Sequence, residues 1–426
     1  MGPELLDRLP RGSRDLLPAA AAERRRVQAN LLDIFERWGF SEVVPPLVEY
    51  HDVHGRGLSA EHAARVVRFI EAGTGELVSL RADVTPQIAR MVAQRVRPKG
   101  RAVRVSYAAD VLRVPDDQSD RAELHQVGVE LIGEGGPRMD AEMIALADES
   151  LRGVGLSEFR VELAHTGVFR AALDAVGLSA EDAARVRGPF ARKDEVAISS
   201  ILKEAGVQPR HRRAMLALCR AYGGAADLKE FRDVLRPLKA SKAIDELEEV
   251  LDLVELFNPT LRSRIVLDLG EARGFEYYTG LRLRAWASGS FAPLIRGGRY
   301  DDMVGRYGRS MPAIGFAVDL DALERAHAEL RDGDRPPAPC GCLVAVSDVS
   351  NRRQMKRAIA LVTEIRQGGT SSWLAAEGLN LVGAKALALS QNARQMCHLG
   401  PRVSAWEFDK EMWRRTTTPG KKQDQK

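Results

Sequence analysis

The sequence predicts an α+β fold: a largely antiparallel sheet, flanked by helices and interrupted by a helical insert. Three observations carry this. Apolar, β-branched strand candidates cluster between about residues 40 and 132 and return after residue 264. An alanine-rich, charged stretch from about Val168 to Leu256 separates the two groups and reads as short helices. A chain of 426 residues with 45% hydrophobic content can fill two or three cores of ordinary size.

Taken in order, residues Ala20 to Trp38 place Val27, Leu31, Ile34, Phe35 and Trp38 at helical spacing, and Gly39 closes the run as a C-terminal cap. FSEVVPPLVEY follows, where β-branched residues beside two prolines predict a short strand at a sheet edge. ELVSLRAD, AVRVSYAADVLRV and ELHQVGVELIGE are three further strands, the last alternating through Leu124, Val127, Val129 and Leu131. A helix is predicted from about Asp140, then the insert, then strands in RIVLDLGEARGFEYYTGLRLRAW and around MPAIGFAVDL. After this core, taken as residues 1–330, three prolines and several charges over 331–339 predict a linker. Residues 340–415 give a small, weakly patterned, degenerate α/β segment, and 416–426 a polar disordered tail.

Composition excludes several classes. A net charge of +4 from 63 basic and 59 acidic side chains is nearly balanced, unlike a dedicated nucleic-acid binder. Cys219, Cys340, Cys342 and Cys397 are too scattered for a disulfide framework, and Cys340 with Cys342 lacks a second pair for zinc. No apolar run approaches the roughly 20 residues of a membrane span, so a cytoplasmic protein is expected.

Four segments set polar groups into apolar strand-like context, where burial is costly unless those groups bind one another or a ligand. LRADVTPQIAR carries Arg81, Asp83 and Thr85; VLRVPDDQSDRAELHQVGVELIG carries Arg113, His125, Gln126 and Glu130. EARGFEYYTG carries Glu271, Arg273, Glu276, Tyr277 and Tyr278, and IRGGRYDDMVGRYG carries Gly297, Gly298, Arg299 and Asp301. Gln126 and Glu130 share one face of a strand and could hydrogen-bond to Arg113; Tyr277 and Tyr278, read as strand residues, point to opposite faces.

Together with LPRGSRDLLP, WGFSEVVPPLVEY and AIGFAVDLDAL, in matching order over roughly residues 8 to 330, these segments resemble the class II catalytic core of histidyl-tRNA synthetase. The resemblance implies a class II aminoacyl-tRNA synthetase-like antiparallel sheet that dimerises, and a histidine pocket lined by Asp83, Thr85, Arg113, Gln126, Glu130, Arg273, Tyr277 and Tyr278. In that pocket Asp83, Gln126 and Glu130 suit an ammonium, Arg273 a carboxylate, and Tyr277 or Tyr278 the imidazole edge.

The nucleotide half departs from the pattern. The second motif reads Leu112-Arg113-Val114-Pro115, with proline in place of an acid; the third reads Asp319-Leu320-Asp321-Ala322, with alanine in place of a phosphate-holding arginine and an added carboxylate. The chain is therefore more similar to a non-aminoacylating paralogue family, the regulatory subunits of ATP phosphoribosyltransferase. LRADVTPQIARMVA, RKDEVAI, RGFEYYTG and RYGRSMPAIGFAVDLDAL carry that likeness. It implies no catalytic residue, metal or cofactor, free histidine as effector, and a homodimer joined to the short-form catalytic subunit in a hetero-oligomer. It leaves tRNA as an unlikely partner.

Overall fold

The computed structural model describes residues 8–96, 102–115, 121–274, 276–330, 341–400, 403–409 and 412–416. The expected linker, 331–339, lies outside the described residues, as does the expected tail except Thr416, which ends a strand rather than starting a disordered segment. The chain divides into two compact units, residues 1–333 and 334–426.

The first unit opens with α1 (Pro18–Arg37), which buries Val27, Leu31, Ile34 and Phe35, one stripe at helical spacing. FSEVVPPLVEY makes two short strands rather than one, β1 (Ser41–Glu42) and β2 (Val48–Tyr50), which join different sheets. Pro45 and Pro46 between them have no N–H to give a ladder, so the chain changes sheet there. Two short helices, α2 (His51–Gly55) and α3 (Ala60–Ala64), lead to β3 (Arg68–Ile70) and β4 (Leu77–Leu80), which with β2 form a three-stranded antiparallel sheet ordered β2-β4-β3. Then come α4 (Thr85–Gln94), the ten-residue strands β5 (Val103–Leu112) and β6 (Glu123–Ile132), α5 (Pro137–Gly153) and β7 (Arg160–His165).

The insert comprises α6 (Thr166–Val176), α7 (Ala180–Ala191), α8 (Glu195–Glu204), α9 (Pro209–Arg220), the short strand β8 (Tyr222–Gly224), α10 (Leu228–Val234) and α11 (Ser241–Phe257). It is one long crossover, because the next strand, β9 (Ile265–Asp268), pairs in parallel with β7. β10 (Leu281–Trp286), β11 (Ile295–Arg299), β12 (Ala313–Asp319) and α12 (Leu320–Leu330) complete the unit. Its large sheet runs β1-β5-β6-β12-β11-β10-β7-β9-β8 and is antiparallel except at β1–β5 and β7–β9.

Strand β6 decides where the site sits. Val127, Val129 and Leu131 pack with Leu31, Phe35 and Ile144 on one face, the side of α1 and α5. The alternate residues Gln126, Gly128 and Glu130 therefore look to the opposite face, where Ile88 and Val92 of α4 pack over Tyr107 and Val111. Polar side chains on this central strand are thus walled by helix and sheet.

The second unit is a five-stranded sheet, ordered β14-β13-β15-β16-β17, built from β13 (Cys342–Val346), α13 (Arg352–Gln367), β14 (Ser372–Leu374), α14 (Leu381–Ser390), β15 (Gln395–Leu399), β16 (Val403–Asp409) and β17 (Met412–Thr416). One face of this sheet packs Ala358, Val362 and Ile365 of α13, and the other packs Ala384 and Ala388 of α14.

Candidate functional site

Glu130 is the floor of the site. Its carboxylate accepts from Thr85 Oγ1 at 2.6 Å, at the start of α4, and from the Tyr300 hydroxyl just beyond β11. Room for it comes from across the sheet. Gly315 on β12 is the register partner of Glu130, and a Cβ there would lie 1.7 Å from Glu130 Oε2. Burial raises the Glu130 pKa to about 8; the nearby Asp83 charge pushes the same way, and the hydrogen bonds from Thr85 and Tyr300 only partly oppose it. The group is mostly protonated near neutral pH.

Asp83 stands beside this floor and stays ionised. Burial works against its charge, but His62 Nδ1 at 3.4 Å, the Arg113 guanidinium and the Thr85 amide hold its pKa below the ordinary value. The Tyr277 hydroxyl donates at 3.4 Å to Oδ2, the same oxygen that His62 faces. Arg113 is buried and donates from Nε to the Ala82 carbonyl at 2.7 Å, so it lies against Asp83 and not against Gln126 and Glu130 as the strand spacing allowed. Gln126 shares the Glu130 face, and its buried Oε1 has no hydrogen-bond partner among the described residues. An orphaned acceptor of that kind costs free energy until a donor arrives.

The described residues of the ARGFEYYTG segment form turns, not a strand. The amides of Tyr277 and Tyr278 both donate to the Gly274 carbonyl at 3.0 Å, and Gly274 takes φ 72, so the rings do not alternate across a sheet. They meet edge to face at 4.8 Å, and Tyr277 leans on Tyr300 at 6.2 Å. Burial lifts the Tyr278 pKa to about 12, against the Arg282 guanidinium 5.7 Å over its ring. Arg273 lies at the rim with 57% of its side chain exposed, its Nε on Glu271 Oε1 at 3.1 Å.

The fold thus brings Asp83, Thr85, Glu130, Tyr277 and Tyr278 together, with Arg113 near Asp83, while Gln126 lies four residues along β6 on the Glu130 face and Arg273 is tied to Glu271. Tyr300, Tyr107, His62 and Gly315 were not singled out from the sequence. Tyr300 could have been, since it sits inside GGRYD. Its neighbours in that motif turn out to be structural: Arg299 donates to Asp140 at 2.6 Å, and Asp301 accepts from the Ala313 amide. Arg81 is structural too, bonded to the carbonyls of Asp110 and Pro45.

Beside the pocket, the start of α12 holds a dense ion network. Asp319 accepts from the Ala322 amide at 3.0 Å and takes both arms of Arg121, at 2.9 and 2.5 Å. Asp321 is paired with Arg14 and Arg24, which also reach Glu324. Burial opposes the Asp321 charge, yet Arg14, Arg24 and the His125 amide keep its pKa low. The helix N-terminus, where an anion would ordinarily be welcome, is already served by the protein's own carboxylates. Ala322 is buried beside them.

Residues 12–323 match the family model described as Histidyl-tRNA synthetase. Two curated relatives are both named ATP phosphoribosyltransferase regulatory subunit. The one from Geobacter metallireducens is 38% identical over 75% of this chain and 73% of its own length. The one from Moorella thermoacetica is 35% identical over 90% of this chain and 96% of its own. Among solved structures, an ATP phosphoribosyltransferase regulatory subunit/histidyl-tRNA synthetase from Bacillus halodurans superposes with a TM-score of 0.80 at 26% identity, covering 94% of this chain and all of that one. A histidyl-tRNA synthetase from Nostoc, at 19% identity, shares the fold with the same score over 96% of each chain.

Proposed function

The chain belongs to the ATP phosphoribosyltransferase regulatory subunits, a histidyl-tRNA synthetase-like family, and on that premise we propose that it binds free histidine over Glu130 and relays occupancy to a short-form catalytic subunit. The observation that carries the reading is the unpartnered, buried Gln126 Oε1 on the same strand face as Glu130, with the ionised Asp83 beside the Glu130 floor. A histidine supplies what these groups lack. Its ammonium gives donors to Asp83 and Gln126, its imidazole meets the Glu130 and tyrosine groups, and its carboxylate suits an arginine, for which Arg273 is the candidate. Because the site hydrogen-bonds the side chain, ligands without an imidazole leave buried groups unpaired and are rejected.

The chain carries out no aminoacylation in this reading. Arg14, Arg24 and Arg121 are committed to Asp319, Asp321 and Glu324, so these three cations at the start of α12 are not available to a polyphosphate. Activity of the catalytic subunit requires this chain, and histidine lowers that activity; by linkage, the catalytic subunit's substrates and histidine alter each other's affinity equally. The homodimer forms through the three-stranded sheet, whose Val48, Phe69, Ile70 and Leu77 are exposed.

The test is calorimetry with histidine alongside histidine-dependent ATP–pyrophosphate exchange. Saturable binding without exchange supports the regulatory reading. Measurable exchange favours a working histidyl-tRNA synthetase, a reading that the intact second α/β unit also suits. Reconstitution with a short-form catalytic subunit, assayed with and without histidine, tests the partner.

A further inference from the structure

The RKDE turn of the insert, residues Arg192 to Glu195, has no part in the pocket itself. It joins α7 to α8, and its second residue, Lys193, holds a left-handed backbone at φ 57 without being glycine. Such a conformation persists only where surrounding bonds over-determine it. Here the amides of Arg192 and Lys193 close onto Gly188 and Phe190, and the Asp194 carboxylate caps α8 at the Ala197 amide. The turn is therefore rigid, and it aims Lys193 Nζ across to Asp268 Oδ1 at 2.6 Å. Asp268 is buried at the end of β9, where the chain leaves the sheet to become the tyrosine loop.

From that anchor the connection to the loop is short. The Asp268 carbonyl accepts from the Glu271 amide, and the Leu269 amide donates to Ala221 at the end of α9. Burial opposes the Glu271 charge, but Arg282, Arg284 and Arg273 hold its pKa at about 2, and its carboxylate takes both the amide and Nε of Arg273. On the far side of the loop, Arg187 of α7 pairs with Glu276 at 2.7 Å, next to Tyr277. Described residues 271–274 and 276–280 belong to no strand, so this segment is placed by side-chain ties and turns instead of a ladder. Glu162, Asp268 and Glu271 stand close enough together to suggest a metal, but Lys193, Arg284 and Arg282 already balance them.

We infer that Lys193 is a positioning residue: it fixes the outgoing end of β9 so that Arg273, Tyr277 and Tyr278 stand over the Glu130 floor, and it makes the α7–α8 turn of the insert respond to what the loop holds. The second half of this rests on the proposed histidine pocket; the first does not. The full chain is compared with Lys193→Met, Lys193→Arg and the charge-balanced double variant Lys193→Met/Asp268→Asn. Hydrogen exchange is followed at the Tyr277 and Tyr278 amides, with strand β7 as internal reference, and histidine affinity is measured by calorimetry. Lys193→Met should exchange at least tenfold faster at those two amides with β7 unchanged, and bind histidine about tenfold more weakly. Lys193→Arg should restore most of both. The double variant should recover the melting temperature while its loop stays fast. Loop exchange that changes only in step with β7, or a double variant whose loop is as protected as wild type, overturns the assignment. Absence of histidine binding in the wild-type chain counts against the proposed pocket, and the exchange data still decide the role of Lys193.

Discussion

Glu130 meets its two donors, Thr85 and Tyr300, inside a wall that excludes water, and burial there outweighs both hydrogen bonds in setting its pKa near 8. The ordinary glutamate value is 4.5, so between about pH 4.5 and 8 the folded chain holds a proton that the unfolded chain has lost. Stability should be full below that window and fall as pH rises through it, by on the order of 5 kcal/mol. Thermal melts from pH 5 to 9 should show this slope in the wild type and a flatter one in Glu130→Gln. Gly315→Ala should cost about 3 kcal/mol, since the new methyl collides with Glu130 Oε2 and the Val129 carbonyl, and histidine binding should disappear in calorimetry. Asp83, Thr85, Gln126 and Glu130 were legible in the sequence because each is a polar group in an apolar strand-like setting. Tyr300 was passed over although it sits inside the GGRYD segment, because an aromatic beside a strand passes for core, and only the Glu130 carboxylate shows what its hydroxyl is for.

At the scale of elements, propensity misled where a turn was dressed as a strand. Two tyrosines and a phenylalanine favour β structure, but a left-handed Gly274 closes the chain on itself and sends both tyrosine rings to one neighbourhood. The second unit was faint for a different reason. All five residues of β13 are buried, so the strand reads as a plain apolar run without alternation, and β14 is three residues long. The start of α12 was legible as a departure from pattern, though its arginine partners, 198 to 307 residues away in sequence, were not. Removing one charge from that buried network should be expensive: Asp321→Asn is expected to lose about 2–3 kcal/mol near neutral pH in denaturant titrations. Because the folded-state pKa of Asp321 is depressed below 3.8, its contribution is present above that value and is lost as pH falls through the folded pKa, so wild type and variant should converge in acid.

Across the whole molecule, every residue of the proposed pocket lies in the first unit. A chain ending at residue 330 should therefore bind histidine within about threefold of full length by calorimetry. Phe69 and Ile70 are exposed on opposite faces of β3 in the three-stranded sheet, and if that sheet carries the proposed dimer contact, Phe69→Glu/Ile70→Glu should convert the dimer to monomer in sedimentation while leaving histidine binding in place. Among the described residues no helix is long and apolar enough to cross a membrane. The ion network at the head of α12 has one more consequence, for descent. A lost arginine can ordinarily be regained by a single substitution, but here Ala322→Arg would place its cation among arginines already spoken for, beside two aspartates that repel any phosphate it might attract. If the chain is non-aminoacylating as proposed, a phosphate-holding arginine could return there only together with changes to a network that also ties α1 to α12, so the loss would behave as a ratchet.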